Sequence, residues 1–195
     1  MARMGVDCDG VLANFGRQFI AILDKVRPGH GLTEENWNSW EYGGRVSDAD
    51  ARAVWKIIRD TPNFWVACAA YEDNVRALAK WLNTTSGNDV WIITSRANTA
   101  GLSVSQQTQM WLDGIGVRAY YNYFGIITVP WPDDKVDILS RLDIDWMIDD
   151  KAETIESMDR FPYLHAALLD RPWNQHVQVK WRVKSVEEFL KAIPK

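Results

Sequence analysis

Apolar and polar positions along the chain fall into two rhythms, and the change between them divides the sequence. Met4 to Asp7 is a short buried strand by its pattern, and Val11 to Val26 reads as a helix with Phe15, Phe19, Ile20 and Leu23 on one face. Pro28-Gly29 ends that helix. Residues 30–70 then carry no strong strand, many turn residues and two short helical pieces. Thr33-Glu34-Glu35 opens one piece; Ser47-Asp48-Ala49-Asp50 caps the other, whose apolar stripe is Ala53, Val54, Ile57 and Ile58. Asn63 to Val66, after Pro62, reads as a connector.

From residue 71 onward the rhythm alternates. Helices are expected at Tyr71–Leu82, Ser103–Leu112, Lys135–Leu142 and Ala152–Met158, and strands at Val90–Ile93, Gly125–Val129, Ile144–Ile148 and Ala166–Leu169. Ser185-Val186-Glu187-Glu188 has the form of a capping box opening a last helix. Strands alternating with helices imply an α/β protein with a doubly wound parallel sheet and right-handed crossovers. The expected organisation is a core domain of residues 1–29 and 71–195, with a small helical cap of residues 30–70 inserted after the first strand–helix unit. There is no internal repeat and no low-complexity linker.

Composition narrows the partners. A chain of 195 residues with a net charge of −4 has room for one good core, and its charge disfavours a surface that works by neutralising many phosphates. A nucleic-acid partner is therefore not expected, although a local cation can still draw a small anion into a site. Cys8 and Cys68 sit in apolar contexts and read as reduced, buried thiols, which favours a cytoplasmic setting. Met1 to Val6 lacks the apolar stretch of a secretory leader, and no run is long enough for a membrane span, so no membrane partner is expected. Eleven tryptophans are unusual. Trp81, Trp91, Trp111 and Trp146 read as core, whereas Trp37, Trp40, Trp65, Trp131 and Trp173 fall in loop-like surroundings and are candidates for a stacking surface.

Chemistry gathers where apolar strands stop. Asp7 and Asp9, spaced i, i+2 after Val6, point the same way, with Cys8 opposed. Like charges aimed at one spot need a cation or a shared proton. Ile93 runs into Thr94-Ser95 and Ile148 into Asp149-Asp150. Open α/β sheets bind ligands at the carboxyl ends of their strands, so parallel neighbours would bring these segments together. Carboxylates with water suit Mg²⁺; hydroxyls, backbone N–H groups and a lysine such as Lys135 suit the phosphate that would accompany it.

Four ordered segments carry a specific resemblance: Asp7-Cys8-Asp9-Gly10-Val11-Leu12-Ala13, Trp91-Ile92-Ile93-Thr94-Ser95, Lys135, and Trp146-Met147-Ile148-Asp149-Asp150-Lys151. The chain resembles the haloacid dehalogenase superfamily of phosphohydrolases, which share a Rossmann-like core. Within it the chain is most similar to the 5′(3′)-deoxyribonucleotidase group, also through Pro62-Asn63-Phe64-Trp65-Val66 and, more weakly, Arg171-Pro172-Trp173-Asn174-Gln175-His176.

The resemblance implies a Mg²⁺-dependent phosphatase acting on nucleoside monophosphates, 5′(3′)-deoxyribonucleotides, through an aspartyl-phosphate. Asp7 matches the nucleophile and Asp9 the general acid and base. Thr94, Ser95 and Lys135 match phosphate-binding groups. Asp7, Asp9 (through its backbone carbonyl), Asp149 and Asp150 match the metal site, with Asp150 favoured as the direct ligand of the last pair. Phe64, Trp65 and Val66 match the segment lining the nucleobase pocket, where the Val66 N–H could read a base edge.

Alternatives stay open. Each acidic pair could be a helix cap, Lys151 competes with Lys135, and Phe64-Trp65 could be cap packing. Where the family often has Asp, Pro and a basic residue, this chain has Asn14, Arg96 and Asp133-Asp134, which leaves base and sugar preference undecided. A phosphatase of another small ester or of a nucleic-acid end, or a non-catalytic binding module, would use the same scaffold. A homodimer is neither required nor excluded. His30, His165 and His176 are isolated and carry no expected chemistry.

Overall fold

Strand pairing starts from the N-terminal apolar run. The structure, a computed structural model, describes residues 2–85, 89–118, 123–131 and 134–194. Its elements in chain order are β1 (Arg3–Val6), α1 (Phe15–Val26), α2 (Asp48–Asp60), α3 (Glu72–Thr84), β2 (Asp89–Ser95), α4 (Val104–Gly114) and β3 (Gly125–Val129). They are followed by α5 (Asp134–Arg141), β4 (Trp146–Asp149), α6 (Ala152–Met158), β5 (His165–Leu169), β6 (Arg182–Val183) and α7 (Val186–Ala192). One parallel sheet runs in the order β3-β2-β1-β4-β5-β6. This is the doubly wound α/β arrangement expected from the alternating rhythm.

Side-chain alternation sends neighbouring residues to opposite faces of the sheet. Met4, Val6, Val90, Ile92 and Ile148 pack with Val75 and Leu78 of α3, Trp111 and Leu112 of α4 and Phe189 of α7. Ile93, Met147 and Leu168 pack on the other face with Val136 and Leu139 of α5 and Ile155 and Met158 of α6. Each fully buried Leu or Ile in these layers contributes roughly 1.5–3 kcal/mol. Gly5 lies where a Cβ would stand 2.6 Å from Met147 Sδ and 3.3 Å from Leu139 Cδ2, so its missing side chain lets α5 approach the sheet.

A third cluster joins Phe19 and Leu23 of α1 to Leu32, Trp37, Val54, Ile58, Phe64 and Trp65, closed by Val104 of α4. The apolar face of α1 therefore turns toward the inserted segment, and packing groups this helix with residues 30–70. The rings of Phe15 and Trp55 stack at 5.5 Å, and those of Phe19 and Tyr42 at 4.7 Å.

Three local expectations change. Helix α1 begins at Phe15 instead of Val11, because the Cys8 carbonyl accepts from the Val11, Leu12 and Ala13 N–H groups and holds residues 10–13 in a turn. Asn14 then caps the helix by accepting from the Arg17 N–H. Thr33 starts no helix: its hydroxyl accepts from the Asn36 N–H while the Asn36 side chain accepts from the Thr33 N–H, a closed loop of side-chain bonds. The two-residue strand β6 is too short to show a period of its own and forms by pairing with β5. Ser47 does cap α2 by accepting from the Asp50 N–H, a contact worth about 1 kcal/mol. Among the described residues no helix is long and apolar enough to cross a membrane.

Candidate active site

The central strand β1 delivers Asp7 between its two neighbours. Val6 is in register with Ile92 of β2 and with Ile148 of β4, and the Asp7 N–H extends the pairing by donating to the Ile148 carbonyl at 3.1 Å. Asp7, Thr94, Asp149 and Asp150 thereby collect at one end of the sheet. Lys135, in the first turn of α5, lies buried among them. Its Nζ is 2.8 Å from Asp7 Oδ1 and donates to Asp149 Oδ2 at 2.7 Å. Lys151 is turned elsewhere, with Nζ over the Trp40 ring at 5.2 Å.

Carboxylate oxygens of Asp7, Asp149 and Asp150 lie within 4.8 Å of one another, and all three residues are buried. Three carboxylates against one ammonium leave two negative charges in a site screened from water. The consequence appears in their proton affinities. Burial pushes the Asp7 carboxyl up to about 7, against the pull of Lys135 and with the added push of Asp149. Burial, then Asp149 and Asp7, hold the Asp150 carboxyl well above the carboxylate range. Burial alone would lower the Lys135 ammonium, but Asp149 and Asp7 outweigh it and raise its proton affinity, so it stays charged.

Asp150 is placed by three neighbours. Trp173 Nε1 donates to its Oδ2 at 2.9 Å, and Asn174 Nδ2 donates to its backbone carbonyl at 2.8 Å. Gly10 sits against it with φ of +80°, and a Cβ there would fall 2.1 Å from Asp150 Oδ2. Both the backbone conformation and the space require glycine. Arg171 ties the same loop to the end of β5, since its Nε donates to the Gly10 carbonyl at 2.6 Å and its guanidinium lies 4.1 Å from the Tyr71 ring centre.

Asp9 goes its own way. Its side chain is not in the carboxylate cluster; both oxygens accept from Arg96, Oδ2 from Nε at 2.7 Å and Oδ1 from Nη2 at 2.8 Å. Arg96 was visible in the sequence only as a departure from the family pattern. The available signal was a basic residue directly after a buried strand, which needs an acidic partner.

Thr94 is fully buried, and its hydroxyl is without a hydrogen-bond partner, whereas Ser95 at the end of β2 is half-buried. An orphaned buried hydroxyl at a strand end is ready to donate to an anion. Asp133 lies outside the described residues; Asp134 opens α5, its N–H donating to the Trp131 carbonyl.

The expected base-pocket segment is placed differently from its sequence reading. Trp65 is buried, with its backbone N–H donating to Gln107 Oε1, its indole N–H donating to the Ala97 carbonyl, and its ring 4.7 Å from the Arg96 guanidinium. The Val66 N–H is taken by the Asn63 carbonyl, so it has no bond free for a base edge. Phe64 packs edge-on against Trp65 at 5.0 Å. The cavity beside the carboxylates has other walls. About 110 Å³ in volume, it opens between Asp9, Gly10 and Asp150 on the core side and Phe15, Trp37, Trp40, Tyr42, Trp55 and Trp173 around it. Three of the five loop tryptophans flagged in the sequence, Trp37, Trp40 and Trp173, are here, and Trp131 is 71 % exposed away from it. Phe15 and Trp55 give no such signal in the sequence, because on a helix a ring facing a cavity has the same spacing as a ring facing a core, and Tyr42 lies in the connection between α1 and α2.

Asp7, Asp149 and Asp150 fit a divalent cation by this structure alone. They are hard oxygen donors, and the three carboxylates outnumber the one ammonium, that of Lys135, that lies among them. The pH dependence follows in sign. Asp7 and Asp150 hold protons that the unfolded chain loses near the ordinary value of 3.8. Their contribution to stability is full below that value and is lost as pH rises, for Asp7 through about 7. A cation binds the ionised form, so Mg²⁺ should raise the thermal midpoint more at about pH 8 than at about pH 5. Thermal scans with Mg²⁺ and with EDTA at both values check this; equal shifts would contradict it.

A parallel α/β sheet carrying buried carboxylates and a lysine at its carboxyl ends has the form of a haloacid dehalogenase-type hydrolase. Solved structures agree on the fold. A HAD-superfamily hydrolase of subfamily IA, variant 1, from Geobacter sulfurreducens superposes with a TM-score of 0.58 at 15% identity, over 99% of this chain and 100% of its own. L-2-haloacid dehalogenase from Xanthobacter autotrophicus gives 0.60 at 13% identity, over 98% of each chain. A protein from Bacillus subtilis assigned as a HAD-hydrolase, solved bound to magnesium, gives 0.60 at 12% identity, over 97% of each. No curated protein sequence gave a significant match. The family model described as 5′ nucleotidase, deoxy (pyrimidine), cytosolic type C protein matches residues 1–194, and the chain belongs to that family. It is accordingly a phosphoric monoester hydrolase of the 5′-nucleotidase kind.

Proposed function

We propose that this hydrolase removes the phosphate of pyrimidine deoxyribonucleoside monophosphates in a Mg²⁺-dependent, two-step reaction through Asp7. The observation that carries the reading is the aromatic cavity opening directly on Asp9, Gly10 and Asp150. At about 110 Å³ it is well below the roughly 300 Å³ at which pockets for larger ligands begin, so it suits a single ring whose remainder stays open to the site. Phe15, Trp37, Trp40, Trp55 and Trp173 give it aromatic walls, which suit contact with a base. The matched family's description names a deoxy (pyrimidine) nucleotidase, which fits one ring better than two.

In this reading an Asp7 oxygen attacks phosphorus, a new O–P bond forms, and the ester P–O bond breaks. Asp9 gives its proton to the departing oxygen. A water then attacks the aspartyl-phosphate while Asp9 takes its proton back, releasing inorganic phosphate and restoring Asp7. Lys135 and the Thr94 hydroxyl stabilise the phosphoryl oxygens, with Ser95, the next residue of β2, as a further hydroxyl. Asp7, Asp149 and Asp150, with the Asp9 carbonyl as a further donor, would hold Mg²⁺, which supplies charge neutralisation of the phosphoryl group. Asp149 is already engaged by Lys135 and the Lys151 N–H. That supports Asp150 as the more available of the late pair.

The test is phosphate release from a panel of 5′- and 3′-mononucleotides and sugar phosphates, with and without Mg²⁺, for the natural protein and for Trp55→Leu. Pyrimidine deoxyribonucleotides should be preferred. Losing one aromatic wall, worth about 1–3 kcal/mol, should raise KM for them by about 5- to 150-fold with kcat largely kept. An unchanged KM would remove the pocket assignment, and preference for a sugar phosphate would replace the substrate.

A further inference from the structure

Arg96 has no part in the chemistry above, yet it controls the group that does the proton transfers. It follows Ser95 at the carboxyl end of β2 and is 4 % exposed. Its guanidinium lies 4.7 Å from the Trp65 ring centre and 5.6 Å from that of Trp111, and Nη1 donates to Thr108 Oγ1 at 3.0 Å. The remaining edge, Nε and Nη2, meets both Asp9 oxygens at 2.7 and 2.8 Å. Such a fork fixes the plane of a carboxylate as well as its distance, which a lysine ammonium cannot do.

A carboxyl group with both oxygens held cannot reach an ester oxygen with either. One contact must open while the other holds. The oxygen released from the guanidinium can take up a proton from water and turn about the retained bond, while Nη1 stays on Thr108 Oγ1 and keeps the guanidinium in place. Asp9 borders the aromatic cavity. Trp65, Trp111 and Thr108 keep the guanidinium still while this happens.

We infer that Arg96 is a positioning residue for this hydrolase: by keeping hold of one Asp9 oxygen it aims the other, protonated, at the leaving-group oxygen. The inference rests on the acid–base role proposed for Asp9. It explains why the Trp65 segment, matched to the base pocket by resemblance, is packed against the acid–base residue's partner.

With enzyme in excess over substrate, release of the leaving group reports only the first half-reaction. A deoxyribonucleoside 5′-monophosphate needs a proton on its departing oxygen, whereas p-nitrophenyl phosphate loses a stabilised anion and does not. For Arg96→Met, the single-turnover rate on the nucleotide should fall about 100-fold or more, the low end for a lost general acid, with half-saturation within about threefold. Its rate on the aryl ester should stay within about threefold, which also shows the variant to be folded. Arg96→Lys should recover part of the nucleotide rate, and Arg96→Met combined with Asp9→Asn should be no slower than Asp9→Asn alone. Parallel losses on both esters, no loss on the nucleotide, or additive losses in the double variant would each overturn the inference. A nucleotide rate untouched by Asp9→Asn would instead overturn the acid–base role on which it rests.

Discussion

Asp7→Asn should lower phosphate release from nucleoside monophosphates by about 10⁴-fold or more, the scale on which a lost nucleophile is felt. The amide keeps the shape but cannot form the aspartyl-phosphate. The fold should survive, and the electrostatics give the reason. Asp7 sits with Asp149 and Asp150 in a site where its own carboxyl is pushed up to about 7, mainly by burial. Removing its charge relieves repulsion, while Lys135 keeps its hydrogen bond to Asp149 at 2.7 Å. The thermal midpoint in EDTA should therefore stay level or rise at neutral pH. Phosphate assays on the purified variant, beside a thermal scan, decide it. Substantial Mg²⁺-dependent turnover would remove Asp7 from the nucleophile's role, and a collapse of stability would mean that its charge holds the site together.

Lys135→Met should have the opposite balance, a large effect on both stability and rate. The ammonium is nearly inaccessible between Asp7 and Asp149, at 2.8 and 2.7 Å. Deleting one member of a buried ionic group costs about 3–5 kcal/mol, because the partners are left as unpaired charges. Here two carboxylates lose the cation they share and face Asp150 as well. Urea unfolding in EDTA at neutral pH should read that loss. Added Mg²⁺ should restore part of it, as should acidification, since the Asp7 carboxyl without the lowering pull of Lys135 takes up its proton more readily than in the natural protein. The rate should fall too, since the phosphoryl oxygens lose a fixed positive group. An unchanged unfolding midpoint in EDTA would mean that Lys135 does not balance these carboxylates.

Most of the fold was legible because it depends on short-range pattern. The strand Gly125–Val129 and the helix Ala152–Met158 coincide with their expected limits, each bounded by turn residues and carrying an unmixed period. The misplaced start of α1 and the absent helix at Thr33 arise from hydrogen bonds to the Cys8 carbonyl and between Thr33 and Asn36. Such bonds leave no periodic trace. Helix α1 could be read as amphipathic, but not which layer its apolar face would meet; the cluster with Trp37, Val54 and Ile58 decides that.

The site divides in the same way. That carboxylates and hydroxyls close three apolar strands is a property of the linear chain, and parallel pairing of β1 with β2 and β4 is enough to make them neighbours. Asp7, Thr94, Asp149 and Asp150 therefore follow from the order of residues and the rule for strand ends. The sequence favours Lys135 with Lys151 as its competitor, and the start of α5 against the sheet puts Lys135 between the carboxylates. The orientation of Asp9 toward Arg96, and the walls of the aromatic cavity, required the tertiary structure outright. Both depend on side chains far apart in the chain, 87 residues in the case of Asp9 and Arg96, choosing one partner among several of the same type. Periodicity states which face of an element is buried, but the contact made there belongs to the packing of whole elements.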